Sequence, residues 1–349
     1  MRLGVIAENI IDRLVLRSNA VPEPLLETQM AFCMARSIMA GVKLGLFEAA
    51  GDGALSAEDL AKTCGTNPAA TEKLLNTLTG CGYFKFRNGA YALTPKAAKW
   101  VLRRSPQSLC DKLLFQFYEW EMVEGYEDFV RTGKPMAGHE GLQGDDFWNS
   151  YQRGMRNLAG FAAGEVAERF PMPPGARDML DVGGSHGHFS VSLCRRHPDL
   201  KSVILDLPEA VKHAAPILSE EKMGARVTHR PGNALTDELG EGSVDIAFMS
   251  QLVHHFTDEQ NRALMKKIAR ALRTRGVCVM FEAIRPRTPA ESGQTAALLD
   301  LYFAMVSESE TWPLATMQDW LQSAGLEPLK PIWLRTMPGG ALVAGRKAG

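Results

Sequence analysis

The sequence predicts a two-part protein: a mostly α-helical, winged-helix first half, then an α/β half built on an open, mainly parallel sheet. Three observations carry this. Beyond about residue 178 short apolar strands alternate with helix-length amphipathic segments, the pattern of parallel strands joined by helical crossovers. A Pro173-Pro174-Gly175 break precedes the alternation. Ahead of the break the chain reads helix, helix, hairpin, and its 349 residues suit about two domains.

In chain order, the amino terminus mixes Arg2, Glu8, Asp12 and Arg13 with aliphatic residues, which predicts a short amphipathic helix rather than a signal peptide. Apolar residues recur at helical spacing from Gln29 to about Phe47. Ser56-Ala-Glu-Asp59 fits a capping box, and Asn67-Pro68 fits an N-cap with a first-turn proline. Tyr83 to Phe86, an Asn88-Gly89 turn and Tyr91 to Leu93 read as a hairpin. Helical, aromatic-rich sequence follows from Leu113 to Phe170. In the second half, strands are expected at Asp178 to Val182, Ser202 to Asp206, Arg226 to Arg230, Val244 to Ser250 and Val277 to Phe281. The chain should close with an antiparallel hairpin, Leu329 to Thr336 against Ala341 to Gly345.

Composition removes several function classes. With 39 basic and 40 acidic side chains, charge gives no reason to expect nucleic acid, an acidic membrane or a polyanion as partner. The would-be recognition helix of the winged segment, Ala69 to Thr79, carries one Lys, one Glu and no Arg, which equips it poorly for phosphates or guanine edges. Packing and dimerisation are the alternative use of such a module. Met30 to Phe47 is interrupted by Arg36 and Lys43, so no membrane span is expected. Six cysteines without a CxxC pair point to reduced thiols in the cytoplasm.

The first predicted strand of the α/β half runs into Asp181-Val-Gly-Gly-Ser-His-Gly187. Glycines at a strand-to-helix turn allow close approach of a ligand to the backbone. A dinucleotide fingerprint begun at Gly183 would need glycines where Ser185 and His188 stand, which disfavours a pyrophosphate. Asp206 ends the next strand, where an acid commonly accepts from ribose hydroxyls. Acid, glycine turn and second acid suit a nucleoside without phosphate, of which S-adenosylmethionine is the main cofactor. A nucleotide-free domain with Asp206 as a helix cap is the bland alternative. His186 and His188 form an HxH pair, but no carboxylate pattern accompanies it and no metal is expected.

Four segments in order then resemble the small-molecule O-methyltransferases of the plant caffeate and bacterial polyketide-tailoring type. Asp181 to Gly187 matches that family's DVGGGxG, and Val203-Ile-Leu-Asp-Leu-Pro-Glu209 its VxDLPxV. Val253-His-His-Phe-Thr-Asp-Glu259 matches LHDWxDE, and Phe281-Glu-Ala-Ile-Arg-Pro286 its next strand. The resemblance implies a class I methyltransferase Rossmann-like domain over 173–349, a winged-helix dimerisation domain over 1–110, and a helical linker over 111–172 that contributes to the acceptor pocket. It further implies S-adenosylmethionine as cofactor, a homodimer, no metal, and a phenolic or other aromatic hydroxyl as acceptor.

By that resemblance the cofactor is held by Asp181, Gly183, Ser185, Gly187, Asp206, Leu207, Asn233, Ala234 and Ser250, and the acceptor by Met155, Tyr302, Phe303 and Met305. Core packing is the competing role for the last four. His254 takes the position of the general base, just beyond a strand end where open α/β sheets carry catalytic groups; on residues alone it and His255 stand level. Glu282 and Glu310 match the carboxylates that flank the base, with Glu308 an alternative to Glu310. Three departures stand out: Ser185 for the third glycine, Asn233 for an Asp on the adenine side, and His255 for an Asp. Two other functions compete with O-methylation: the same scaffold acting on another atom or without methyl transfer, and a winged-helix regulator that senses a nucleoside.

Overall fold

The computed structural model of the chain describes residues 4–136, 144–307 and 309–349. They divide into two compact units, one ending at Phe117 and the other beginning at Tyr118. That division falls inside the helix Cys110–Val123.

In the first unit α1 (Ile10–Arg17) is opened by Asn9, whose side chain accepts from the Asp12 N–H at 2.9 Å. The helical stretch expected from Gln29 contains α2 (Ala31–Lys43). Next, α3 (Ala57–Cys64) is capped by Ser56, which accepts from the Asp59 N–H at 3.1 Å and donates its own hydroxyl to the Asp59 carboxylate at 2.7 Å. The acid therefore meets the cap's hydroxyl; the reciprocal box relies on the longer Glu or Gln to reach the cap's N–H. Asn67 accepts from Ala70 N–H at 3.0 Å to open α4 (Pro68–Gly80). β1 (Phe84–Arg87) and β2 (Ala90–Leu93) pair antiparallel across Asn88 and Gly89, both at positive φ as a tight hairpin turn requires. A core of Val42, Leu46, Phe47, Leu60, Leu75, Leu78, Phe84 and Tyr91 joins α2, α3, α4 and the hairpin, and α5 (Pro95–Trp100) follows the wing.

After α6 (Cys110–Val123), α7 (Tyr126–Thr132) and the long α8 (Asp145–Arg169), the sheet of the second unit begins. Its elements are β3 (Asp178–Val182), α9 (His188–Arg196), β4 (Lys201–Asp206), α10 (Pro208–Glu220), β5 (Val227–Pro231), β6 (Val244–Ser250), α11 (Asp258–Ala271) and β7 (Leu272–Arg285). Then come α12 (Gln294–Val306), β8 (Trp312–Pro313), α13 (Leu314–Ser323), β9 (Leu326–Pro328), β10 (Ile332–Trp333) and β11 (Gly340–Lys347). The strand order is β10-β11-β7-β6-β3-β4-β5, parallel from β7 to β5, with β11 antiparallel to β7. Both faces are covered. Along β6, Ile246 and Phe248 pack with α8 and α9, whereas Ala247 and Met249 pack with α11 and α13. β3 sends its crossover to β4 on one side and borders β6 on the other, so the carboxyl end of β3 is the switch point where such sheets bind ligands.

The closing hairpin is shorter than the sequence suggests: within Leu329 to Thr336 the ladder register with β11 is confined to Ile332 and Trp333, and the last backbone bond to β11 is from the Leu334 N–H to the Gly340 carbonyl at 3.0 Å. Glu165 of α8 explains this. Its carboxylate accepts from the Arg335 N–H at 2.9 Å, the Thr336 N–H at 2.8 Å and the Thr336 hydroxyl at 2.7 Å, which withdraws those backbone donors from any ladder. Arg169 adds an ion pair at 2.9 Å. Burial alone would push this carboxyl upward, but the backbone donors outweigh it and hold it at about 2. A group depressed on folding stabilises fully above its unfolded value, about 4.3, and that stabilisation is lost as pH falls toward 2. We expect Glu165→Ala to lower stability by roughly 2 to 4 kcal/mol at neutral pH. The deficit relative to wild type should shrink below pH 4 in denaturant titrations; a deficit independent of pH would contradict the assignment.

Candidate cofactor and catalytic site

The loop after β3 is shaped by close approaches on both of its faces. Gly183 lies at φ +69°, and a Cβ there would stand 2.6 Å from a methyl of Leu252. At Gly184 a Cβ would stand 2.4 Å from the carboxylate carbon of Asp181. Asp181 is thus buried beneath the loop, accepting from the Ser190 hydroxyl at 2.5 Å, and burial pushes its carboxyl up to about 7. Gly187 ends the loop and α9 begins at His188.

Ser185, the departure from a third glycine, is held at φ +52°, a left-handed backbone that side chains adopt at a cost. Three hydrogen bonds hold it there. Its N–H donates to Asp206 at 2.8 Å, its carbonyl accepts from His229 Nε2 at 2.8 Å, and its hydroxyl donates to the Gln152 side-chain oxygen. Asp206 also accepts from the Leu207 N–H at 2.8 Å, and burial raises its carboxyl. Each carboxylate oxygen retains a lone pair for a ligand hydroxyl. At the end of β5, the Asn233 oxygen accepts from the Leu235 N–H at 2.9 Å, so the amide acceptor expected for adenine already shapes its own turn. The Ala234 carbonyl is taken by Lys267 at 2.9 Å, and Ser250 ends β6 half-buried.

His254 sits in a short 3₁₀ turn, Val253–His255, after β6, and is 3% exposed. Its Nδ1 lies 2.9 Å from Glu282 Oε2, while Glu282 Oε1 accepts from the Val253 N–H at 2.9 Å. A carboxylate facing Nδ1 places the imidazole proton there and leaves Nε2 as the lone-pair nitrogen. Among the described residues Nε2 has no hydrogen-bond partner. The Phe303 ring lies against the imidazole, 4.2 Å between centroids and tilted by 32°. His255 does not diverge as neighbouring residues in an extended chain would: in the 3₁₀ turn its ring is 4.3 Å from that of His254, and its Nδ1 is 2.9 Å from the Ser307 hydroxyl. Glu310 is brought to Arg285 rather than to the imidazole, and Glu308 lies outside the described residues.

Of the acceptor candidates, Phe303 alone packs on His254. The Tyr302 hydroxyl donates to Glu119 at 3.1 Å, and burial raises it. Met155 is half-buried with its carbonyl bonded by His186, and Met305 is fully buried. The HxH pair is structural in its first member: His186 Nδ1 accepts from the His188 N–H at 3.1 Å, and burial lowers the ring to about 3. Among the described residues one trio, Asp145, Glu209 and His213, could converge on a metal ion. It is bound as an ion-pair cluster, with Lys212 2.7 Å from Asp145 and His213 3.0 Å from Glu209.

Four residues that shape the site escape a reading of motifs. Gln251 turns the chain at φ +53°, its N–H donating to Phe281 at 2.8 Å. Asn261 and Trp312 both donate to the Val253 carbonyl, at 2.9 and 3.1 Å. Gln152 reaches Ser185. Two of the four left a signal: Asn261 and Gln152 are polar residues on otherwise apolar helix stripes, and both are fully buried.

A glycine loop at the switch point, an acid closing β4 and a histidine–glutamate pair beyond β6 define a class I, S-adenosylmethionine-dependent methyltransferase. Comparisons with known proteins agree. The O-methyltransferase domain model matches residues 132–327 and the O-methyltransferase dimerisation domain model matches 26–103, so the chain belongs to the O-methyltransferase family. It is 26% identical over 345 residues to the 3-hydroxy-5-methyl-1-naphthoate 3-O-methyltransferase of Streptomyces sahachiroi, covering 93% of this chain and 96% of that one. Another relative, the L-tyrosine C(3)-methyltransferase of Streptomyces lavendulae, is 26% identical over 278 residues, 74% of each chain. Human N-acetylserotonin methyltransferase, solved in complex with SAM, shares the fold with a TM-score of 0.83 at 18% identity, over 99% of this chain and 100% of that one.

Because a methyl at Gly184 would meet the Asp181 carboxylate at 2.4 Å, Gly184→Ala should destabilise the protein by roughly 1 to 3 kcal/mol. S-adenosylhomocysteine affinity should fall with it, read by calorimetric titration. Unchanged affinity and melting temperature would show the loop to be slack.

Proposed function

We propose that the protein transfers the methyl group of S-adenosylmethionine to a phenolic or other aromatic hydroxyl of a small molecule, with His254 as general base, and that it works without a metal. The observation that carries this reading is the buried His254 whose Nδ1 faces Glu282 at 2.9 Å, leaving Nε2 as the acceptor of a proton. When bound, the cofactor supplies a sulfonium methyl, an electrophile that needs no further activation. What the protein adds is a base and alignment. A phenol with a pKa of about 10 is ionised to about one part in a thousand at neutral pH, so a positioned imidazole that removes its proton contributes ~10² to 10⁴ in rate.

In this reading Glu282 orients His254 and stabilises the imidazolium formed. Phe303 walls the imidazole against water, Asp206 takes the ribose, and Asp181 acts through the loop above it. Tyr302, Met155 and Met305 border the acceptor side, and Glu310 belongs to the periphery with Arg285. The aromatic acceptor is supported by the naphthoate-modifying relative, and a homodimer by the dimerisation domain over 26–103. The domain boundaries we assign are 1–110 for that module, 111–172 for the linker and 173–349 for the catalytic domain, with a cytoplasmic location in keeping with the free thiols. A second reading, transfer to another atom of an aromatic ring, is favoured by the C(3)-methylating relative; the site of the methyl group in the product, read by NMR, separates the two.

With a phenol panel and labelled cofactor, His254→Ala should lose at least ~10²-fold in kcat while binding S-adenosylhomocysteine within about twofold of wild type. An acidic nitrophenol, already ionised, should recover much of that loss; full activity of the variant on ordinary phenols would exclude His254 as base. Turnover should persist in excess chelator, and loss restored by Mg²⁺ would contradict the metal-free mechanism.

A further inference from the structure

Gln152 stands on the third turn of α8, on the stripe that Trp148 and Ala159 bury, and is fully inaccessible. A Gln in that position is costly unless its amide is satisfied on both sides. Only one side is. Its Oε1 accepts from the Ser185 hydroxyl, whereas its Nε2 has no hydrogen-bond partner. The orphaned amide lies beside the residue whose own N–H is bound to Asp206, at the carboxyl edge of the sheet and at its switch point. Two buried donors without an acceptor are a site awaiting one.

We propose that Gln152 Nε2 donates to the α-carboxylate of the cofactor's amino-acid moiety, and that Ser185, in place of a glycine, serves to aim it. This rests on the cofactor reading above and adds a residue to it. The orphan is a pair of donors, so the matching ligand atom is an acceptor. Within the cofactor the carboxylate is the strongest acceptor and the only anion. The ends of β4 and β5, by contrast, offer acceptors, Asp206 and Asn233, which suit hydroxyls and an amine. The amino terminus of the nine-residue α9 begins three residues beyond Ser185 and favours negative charge on the same side of the loop. Ser185 holds φ +52° against its preference, and its hydroxyl bonds Oε1, which leaves the two amide hydrogens on Nε2 as the unsatisfied donors of this side chain.

The test compares two ligands of the wild type and two variants by calorimetric titration. S-adenosylhomocysteine carries the carboxylate; 5′-methylthioadenosine keeps the adenosine thioether and lacks the amino acid. Gln152→Leu should weaken the first by about tenfold or more, as expected for a lost bond to a charged group, and leave the second within about twofold. Gln152→Glu, nearly isosteric but bringing two like charges together, should weaken the first further and again spare the second. Melting temperatures near that of wild type confirm folding in both variants. Equal losses for both ligands, or no loss for either, overturn the proposal. Retained or raised S-adenosylhomocysteine affinity in Gln152→Glu also overturns it, because the amide oxygen would then be facing the ligand's ammonium. A wild-type protein that binds neither ligand contradicts the cofactor reading itself, and this assignment with it.

Discussion

The bond between His254 and Glu282 is the interaction on which the proposed chemistry depends, and its geometry is set by strand register. β6 and β7 run parallel with Ser250 beside Phe281, so Glu282 is the first residue of β7 beyond the paired end of β6. For a side chain following β6 to meet it, the chain must turn back at once. Gln251 does so in a left-handed conformation, anchored to the Phe281 carbonyl, and Glu282 captures the Val253 N–H with one oxygen and His254 with the other. Asn261 and Trp312 then hold the Val253 carbonyl from α11 and β8. The carboxylate thus orders a backbone segment and an imidazole together, and the pair is buried on both sides.

The cofactor end follows the same logic with different partners. An acid beneath the loop, Asp181, takes up the space in which a side chain at Gly184 would sit, and an acid beside it, Asp206, takes the Ser185 N–H. These contacts bring the ends of β3, β4 and β6 to one edge, which is where a parallel sheet with helices on both faces leaves its backbone open to ligands. Burial of the alternating faces of β6 by separate helix layers keeps those strand ends in register.

Much of this was legible in the residues. Strand limits at Asp178–Val182 and Val244–Ser250 were readable because each is a short apolar run between polar breaks. His254 and Glu282 were reachable through motif order, by which His254 was preferred to His255, whereas the 3₁₀ turn that brings the two rings 4.3 Å apart is announced by no periodicity. Long-range hydrogen bonds were the least legible. Nothing local says that Glu165 draws in the backbone of Arg335 and Thr336 and shortens the last hairpin, or that Glu310 goes to Arg285. The local bond of Asn233, whose oxygen also accepts from the Leu235 N–H in an Asx turn, was equally hidden. Gln152 shows the limit: it escaped the motifs, its polarity on a buried stripe was the one signal it left, and its partner lies 33 residues away.

The most direct test of the account is kcat of Glu282→Gln at saturating cofactor and acceptor, with cofactor affinity measured alongside. The amide oxygen can still accept from the Val253 N–H, which turns the NH₂ toward Nδ1 and drives the imidazole proton to Nε2, where a base must be bare. The account predicts a fall of at least ~10²-fold in kcat with S-adenosylhomocysteine affinity unchanged. A variant that turns over as fast as wild type would contradict it.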